Sequence, residues 1–249
     1  MRSVVKNVIF TFSLFGSVAA QAISVGKVDF EKKSVTGIEV ELASSVSNDV
    51  SVCGAKVGGL RSLTRSDITG IQVGGLGARA DNLYGVQVGG GRVTTKGDCY
   101  GVSIGGLGSE SEKEMNGVQI GGLVVCTDSL YGVQIGSLHC MCTNEMSGIQ
   151  IGVFSSLGEL IDGVQIGGVL NCVNEKIRGV QITGLHSVAC DMKGVQITGG
   201  LSAASVLSGL QIGAVNYIEK DFSGVQIGVF NYAGEESDNC LQIGGVNWL

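Results

Sequence analysis

Proline is absent from all 249 residues, aromatic side chains make up only 5%, and there are two histidines. Without proline the chain is neither collagen nor a proline-rich linker, although 42 of its residues are glycine. Glycine disfavours helix interiors by about 1 kcal/mol per residue, so this content also argues against a helical bundle. An excess of basic residues is missing too: the formal charge is −6, against a nucleic-acid binder. Beyond the first 22 residues no stretch is continuously apolar enough for a transmembrane helix. Apolar residues still reach 44%, so the chain has the means to fold.

The first segment reads as a secretory signal peptide over residues 1–22. Arg2 and Lys6 form its charged start, Val8 to Phe15 its apolar middle, and Ala20-Gln21-Ala22 an A-x-A cleavage site. The apolar run is about half of the ~20 residues that a spanning helix needs. Residues 23–36 are then expected to form an N-terminal cap, and 37–249 a repeat domain.

That domain is one short unit copied along the chain. G-V-Q-I-G begins at Gly37, Gly54, Gly70, Gly85, Gly101, Gly117, Gly132, Gly148, Gly163, Gly179, Gly194, Gly209, Gly224 and, with a substitution, Cys240. The spacing is 15 or 16 residues, once 17. With this first residue as position zero, positions +1 and +3 are aliphatic throughout, from Ile38 and Val40 to Leu241 and Ile243. Position +2 is Gln in most copies, −2 is apolar in nearly all (Ile68, Leu83, Leu130, Ile161), and +6 is often Leu or Phe (Leu60, Leu76, Phe154, Phe230). Alternation of Val, Gln and Ile is a strand signal. Glycines at zero, +4 and +5 permit corners on either side of it.

The fold class predicted is therefore all-β, a single parallel β-solenoid of about 14 coils with 15–16 residues per coil. In this reading Val and Ile join the residues at −2 and +6 in the core, while Gln stands outside. The alternative is a closed antiparallel outer-membrane β-barrel, for which the strands are short and aromatic girdles are missing.

The rhythm G-V-Q-I-G-x-x-N, clearest in Gly209 to Asn216 and Gly224 to Asn231, resembles a family of bacterial exported surface-repeat proteins found in spirochaetes and other Gram-negative bacteria. The resemblance covers nearly all of the expected mature chain and implies export and a repeat fold. It implies no activity and carries over no functional residues. Val124, Ser155 and Leu170 stand where the Asn belongs.

Eight cysteines suit an oxidising compartment. Cys126, Cys140, Cys142 and Cys172 lie at related phases of the repeat, so Cys126 with Cys140 or Cys142, and Cys172 with Cys190, are candidate disulfides between neighbouring coils. Their alternative is to stay buried as small hydrophobes. His139-Cys140-Met141-Cys142 invites a metal, but His186 is three coils from His139 and cannot complete a site, so no metal and no cofactor are predicted. Neither histidine has a partner pattern for a nucleophile, and no enzyme is predicted. The patterned surface in this reading is a Gln row: Gln119, Gln134, Gln150, Gln165, Gln181, Gln196, Gln211 and Gln226, either a docking face or a structural amide ladder.

The function expected is a non-enzymatic, exported structural or interaction module at the cell surface or in the periplasm of a Gram-negative bacterium. The alternative is an integral outer-membrane barrel acting as a solute channel. A protein or other cell-envelope partner is expected, no nucleic acid and no membrane span. End-to-end self-association through the C-terminal coil around Trp248 is a further expectation.

Overall fold

A computed structural model describes residues 9–13, 20–29, 34–41, 44–48, 51–234, 237 and 240–248. Ile9–Ser13 pairs antiparallel with Ala20–Asp29, which pairs antiparallel with Ser34–Glu41. The leader and cap expectations fall partly on residues 1–8, 14–19 and 30–33, which lie outside the described residues.

Among the described residues every other strand pairing, from Ser34–Glu41 on Ser51–Gly58 onward, is parallel, and the fold is a β-solenoid of about 13 turns rather than a barrel. An outer-membrane barrel requires antiparallel neighbours, so that alternative is excluded. The chain forms two compact units, Met1–Gly122 and Leu123–Leu249.

In the N-terminal unit the coils are built of an eight-residue strand, such as Asp67–Gly74 or Asn82–Gly89, a two-residue bend, and a short strand such as Gly77–Ala80. Register follows the repeat: Gly54 lies opposite Gly70, Gly70 opposite Gly85, and Gln72 opposite Gln87. The charged run Ser109 to Glu114 belongs to the strand Gly108–Gly121. Ser109 and Ser111 point inward there, and Glu110 pairs with Arg92 one coil away.

In the C-terminal unit the short strand runs on into the next long one, as in His139–Gly152 and Leu170–Thr183. Small register shifts, for example between Cys142 and Glu145, sit at this third corner. That is where spacings of 15 and 16 residues are reconciled without disturbing the long strand.

Position zero is a corner with a strict requirement. Its glycines have φ between 130° and 147°, where L side chains are strained. A Cβ at Gly179 would also stand 2.0 Å from the carbonyl oxygen of Gly163 in the coil below. Glycine is thus required by both the turn and the stack.

The inside of the coil corrects the sequence expectation. Residues at −2 are buried in both units: Ile68, Leu83 and Met115 in the first, and Leu130, Ile161, Ile177 and Phe222 in the second. Position +2 has the same parity and is buried with them, so every Gln of the row is inside. Val and Ile at +1 and +3 point outward, as do the residues at +6.

The physical reason is a set of carbonyls that point into the coil. Gln72 donates Nε2 to the carbonyl of Arg79 at 3.0 Å, and Gln134, Gln150 and Gln226 reach the corresponding Met141, Leu157 and Tyr232 carbonyls at 3.1 Å. Lys56 stands in the Gln position one coil before Gln72 and serves the same carbonyl, that of Leu63, at 2.8 Å through its ammonium. Leaving such a group unpaired would cost about 1–3 kcal/mol, so an aliphatic residue at +2 is worse than an amide. Each amide then has a second donor and an acceptor left for its neighbours. Gln150, Gln165, Gln181, Gln196, Gln211, Gln226 and Gln242 each donate to the preceding Gln Oε1, at 2.8–3.0 Å.

Candidate functional site

With the Gln row inside, the docking face expected at Gln119, Gln134, Gln150, Gln165, Gln181, Gln196, Gln211 and Gln226 does not exist as a surface. Each of these side chains is fully buried. The row is the structural amide ladder, turned inward rather than outward.

The surface that the sequence reading placed inside is the outer one. In the C-terminal unit, position +1 carries Val133, Ile149, Val164, Val180, Val195, Leu210 and Val225, and position +3 carries Ile135, Ile151, Ile166, Ile182, Ile197, Ile212 and Ile227. In-register pairing stacks them into two rows: Val164 lies opposite Val180 and Ile166 opposite Ile182. Ile149 is 38% exposed and Ile227 also 38%, values that leave a flat aliphatic strip open to solvent. The bend beside it adds Leu138, Phe154, Leu185 and Phe230, all exposed. No charged residue interrupts the two rows. In the N-terminal unit the same positions carry Ile71, Val86, Val102 and Val118 with Val73, Val88, Ile104 and Ile120, beside exposed Leu60, Leu76 and Leu107. Isolated exposed aliphatics are ordinary, but contiguous patches beyond a few hundred Å² mark contact surfaces.

The cysteines divide by parity. All eight are thiols in this structure. Cys140 and Cys142 point inward, whereas Cys126, in register with Met141, points to the other side of the strand. A Cys126 bridge to either would require the strand to reverse its faces, so that candidate is corrected. Cys140 instead donates its thiol to the Ile151 carbonyl at 3.0 Å, the role played by Ser156 toward Ile166 and Asn171 toward Ile182. Burial pushes the Cys140 thiol up to about 12 and those of Cys99 and Cys142 up to about 11, which makes them poor nucleophiles. Cys172 and Cys190 are on neighbouring strands and both face outward. Burial, with a smaller contribution from Cys190, raises the Cys172 thiol.

Other chemistry is dispersed. His139 points outward, hydrogen-bonds Ser155 Oγ and meets Phe154 edge-on; His186 is three coils away. No group of three metal-ligating side chains occurs among the described residues. A shallow groove of about 350 Å³ in the C-terminal unit is lined by Tyr131, Glu145, Asp162, Lys176 and Arg178. Its charges are of both signs, and Lys176 is already paired with Asp191 at 3.0 Å.

The Asn of the G-V-Q-I-G-x-x-N rhythm was missed where it is displaced. Register aligns Asn171 with Ser187, Ser202, Asn216, Asn231 and Asn247. Asn171 sits one residue later in its repeat because its coil has one more residue before the bend. Asn216 donates to Asn231 Oδ1 at 2.8 Å, and Asn231 to Asn247 Oδ1 at 2.7 Å. No family model matches this chain, and no curated protein or solved structure compared with it matches either.

Proposed function

We propose that this protein is a non-enzymatic docking scaffold of the bacterial cell envelope, and that its contact surface is the outer aliphatic strip. The observation that carries this reading is the uninterrupted pair of Val and Ile rows, solvent-facing in both units while the amides lie inside. A coil that keeps its amide row inside and leaves its Val and Ile rows outside has its adhesive side outward. The A-x-A motif after the apolar leader supports export, with Ile23 as the first mature residue. Buried, high-pKa thiols and histidines three coils apart support a non-catalytic role.

Cell fractionation with mass spectrometry of the recovered chain tests this. The chain is expected in the envelope fraction, beginning at Ile23. The variant Ile166→Glu/Ile182→Glu is expected to leave its site of association while retaining the strand signal in far-UV circular dichroism. Cytoplasmic recovery with an intact leader would contradict export; unchanged association of the variant would contradict the docking surface.

A further inference from the structure

Resting on that reading, we propose that the aliphatic strip of the C-terminal unit is covered by a second copy of this chain, sheet face against sheet face about a two-fold axis parallel to the stack.

Size comes first. Coils stack about 4.8 Å apart and residues advance about 3.3 Å along a strand. The strip from the Gly132 coil to the Gly224 coil, taken from +1 across to the bend, is then on the order of 500 Å² in projection. Its accessible surface is larger, because the side chains stand up from the sheet. That approaches the ~800 Å² per partner of a stable protein interface.

Charge favours the same occupant. The two rows contain no ionisable side chain, so the matching surface must also be uncharged. A second strip meets that condition, whereas an anionic lipid surface opposes a chain whose formal charge is −6.

Shape adds a register. Rows +1 and +3 run along the stack about 6.6 Å apart, one mostly Val and the other Ile. A two-fold parallel to the stack, passing over the middle of the strip beside the Ile row, sets the Val row of one copy over the bend residues of the other, Val133 over Leu138 and Val180 over Leu185. Small then faces large in these coils, the condition for two sheets to close at about 10 Å with interdigitated side chains. Such an interface is isologous and closes at two copies. Ile166 and Ile182 lie near its centre, and Val180 and Leu185 near its margins.

Analytical ultracentrifugation of the full-length chain, without detergent and with a reductant to exclude disulfide-linked pairs, tests the proposal. The wild type is expected at twice the mass of one chain. The variant Ile166→Glu/Ile182→Glu is expected to sediment as a monomer, its dissociation constant raised at least about 100-fold by two unpaired charges. Its circular dichroism should be unchanged, because both side chains point outward. Ser208→Glu, at an exposed position outside the two rows, should remain dimeric. A dimer that survives the double substitution overturns the proposal. A wild type that is monomeric up to high micromolar concentration also overturns it, and flotation with phosphatidylcholine vesicles then judges the docking surface itself. A monomer that floats, while the double variant does not, keeps that surface with lipid as occupant. A monomer that does not float removes both.

Discussion

Gln181 donates its amide Nε2 to Gln165 Oε1 at 2.8 Å, one coil below, inside the solenoid. Gln196 does the same to Gln181 at 2.8 Å, and Gln165 to Gln150 at 3.0 Å. Every amide in this run is donor and acceptor at once. Removing one therefore leaves two neighbours short, a donor on one side and an acceptor on the other.

Gln165→Leu is expected to destabilise the C-terminal unit by about 2–4 kcal/mol, although the two side chains are similar in size. The Gln181 amide loses an acceptor, Gln150 Oε1 loses a donor, and both groups are buried. Gln165→Glu should be comparably harmful, since a carboxylate has no donor for Gln150. Urea unfolding checks both; a midpoint within error of the wild type would contradict the ladder's energetic role.

Gly179→Ala is expected to cost about 3 kcal/mol or more, through the combination of φ 134° and a Cβ placed 2.0 Å from the Gly163 carbonyl oxygen. Gly245→Ala supplies the contrast, because its Cβ would lie 3.3 Å from the nearest atom, the Val229 oxygen. Its effect should stay within about 1 kcal/mol. Thermal unfolding of both variants separates corner glycines from incidental ones.

Thiol labelling at pH 8 should modify Cys53 and Cys190, which are exposed, at least about 100-fold faster than Cys99, Cys140 and Cys142. Peptide mass spectrometry after brief exposure to a maleimide reads this directly. Equal labelling of all five would show that the interior is open.

The same thiols make stability fall at alkaline pH. Their folded-state values, about 11 to 12, lie above the ordinary value of 9.0, so the unfolded chain releases these protons first. Their contribution is fully present below about pH 9 and is lost as pH rises toward 12. Cys140→Ser keeps a donor for the Ile151 carbonyl and removes the thiol, so part of the alkaline loss measured by urea midpoints should disappear. An identical pH profile would contradict the assignment.

The repeat, its strand, the parallel stack and the coil-to-coil register were all legible in the residues. G-V-Q-I-G copies lie opposite one another, Gly70 on Gly85 and Ile166 on Ile182, as their spacing predicts. What failed was the assignment of faces. Ranking residues by hydrophobicity puts Val and Ile inside, and a narrow coil overrules that ranking. Its backbone turns carbonyls such as those of Met141 and Leu157 inward, and only side chains with donors can meet them. One signal was available: −2 and +2 share parity across the glycine, so an apolar Ile161 and an amide Gln165 point the same way, and Val164 does not. Near-invariance of Gln from coil to coil was a second, because solvent places no such demand. The displaced Asn171 was hidden for a different reason, a single extra residue before the bend. The same inversion explains why the cysteines read as staples: Cys140 is one member of an inward column of donors, alongside Ser156 and Asn171.

The central claim is that amides are inside and aliphatics outside. Two substitutions in adjacent positions of the N-terminal unit test it most directly, Gln87→Leu and Val88→Thr, compared by thermal unfolding. Gln87 donates to Gln72 Oε1 at 2.7 Å and accepts from Thr95 Oγ1 at 3.1 Å, while Val88 points outward. Gln87→Leu is predicted to lose about 2–4 kcal/mol, a fall in Tm of about 5–15 °C. Val88→Thr, nearly the same shape with one hydroxyl in water, should change stability by less than about 0.5 kcal/mol. The reverse result, a harmless leucine at 87 and a damaging threonine at 88, would mean that the coil is packed the other way round.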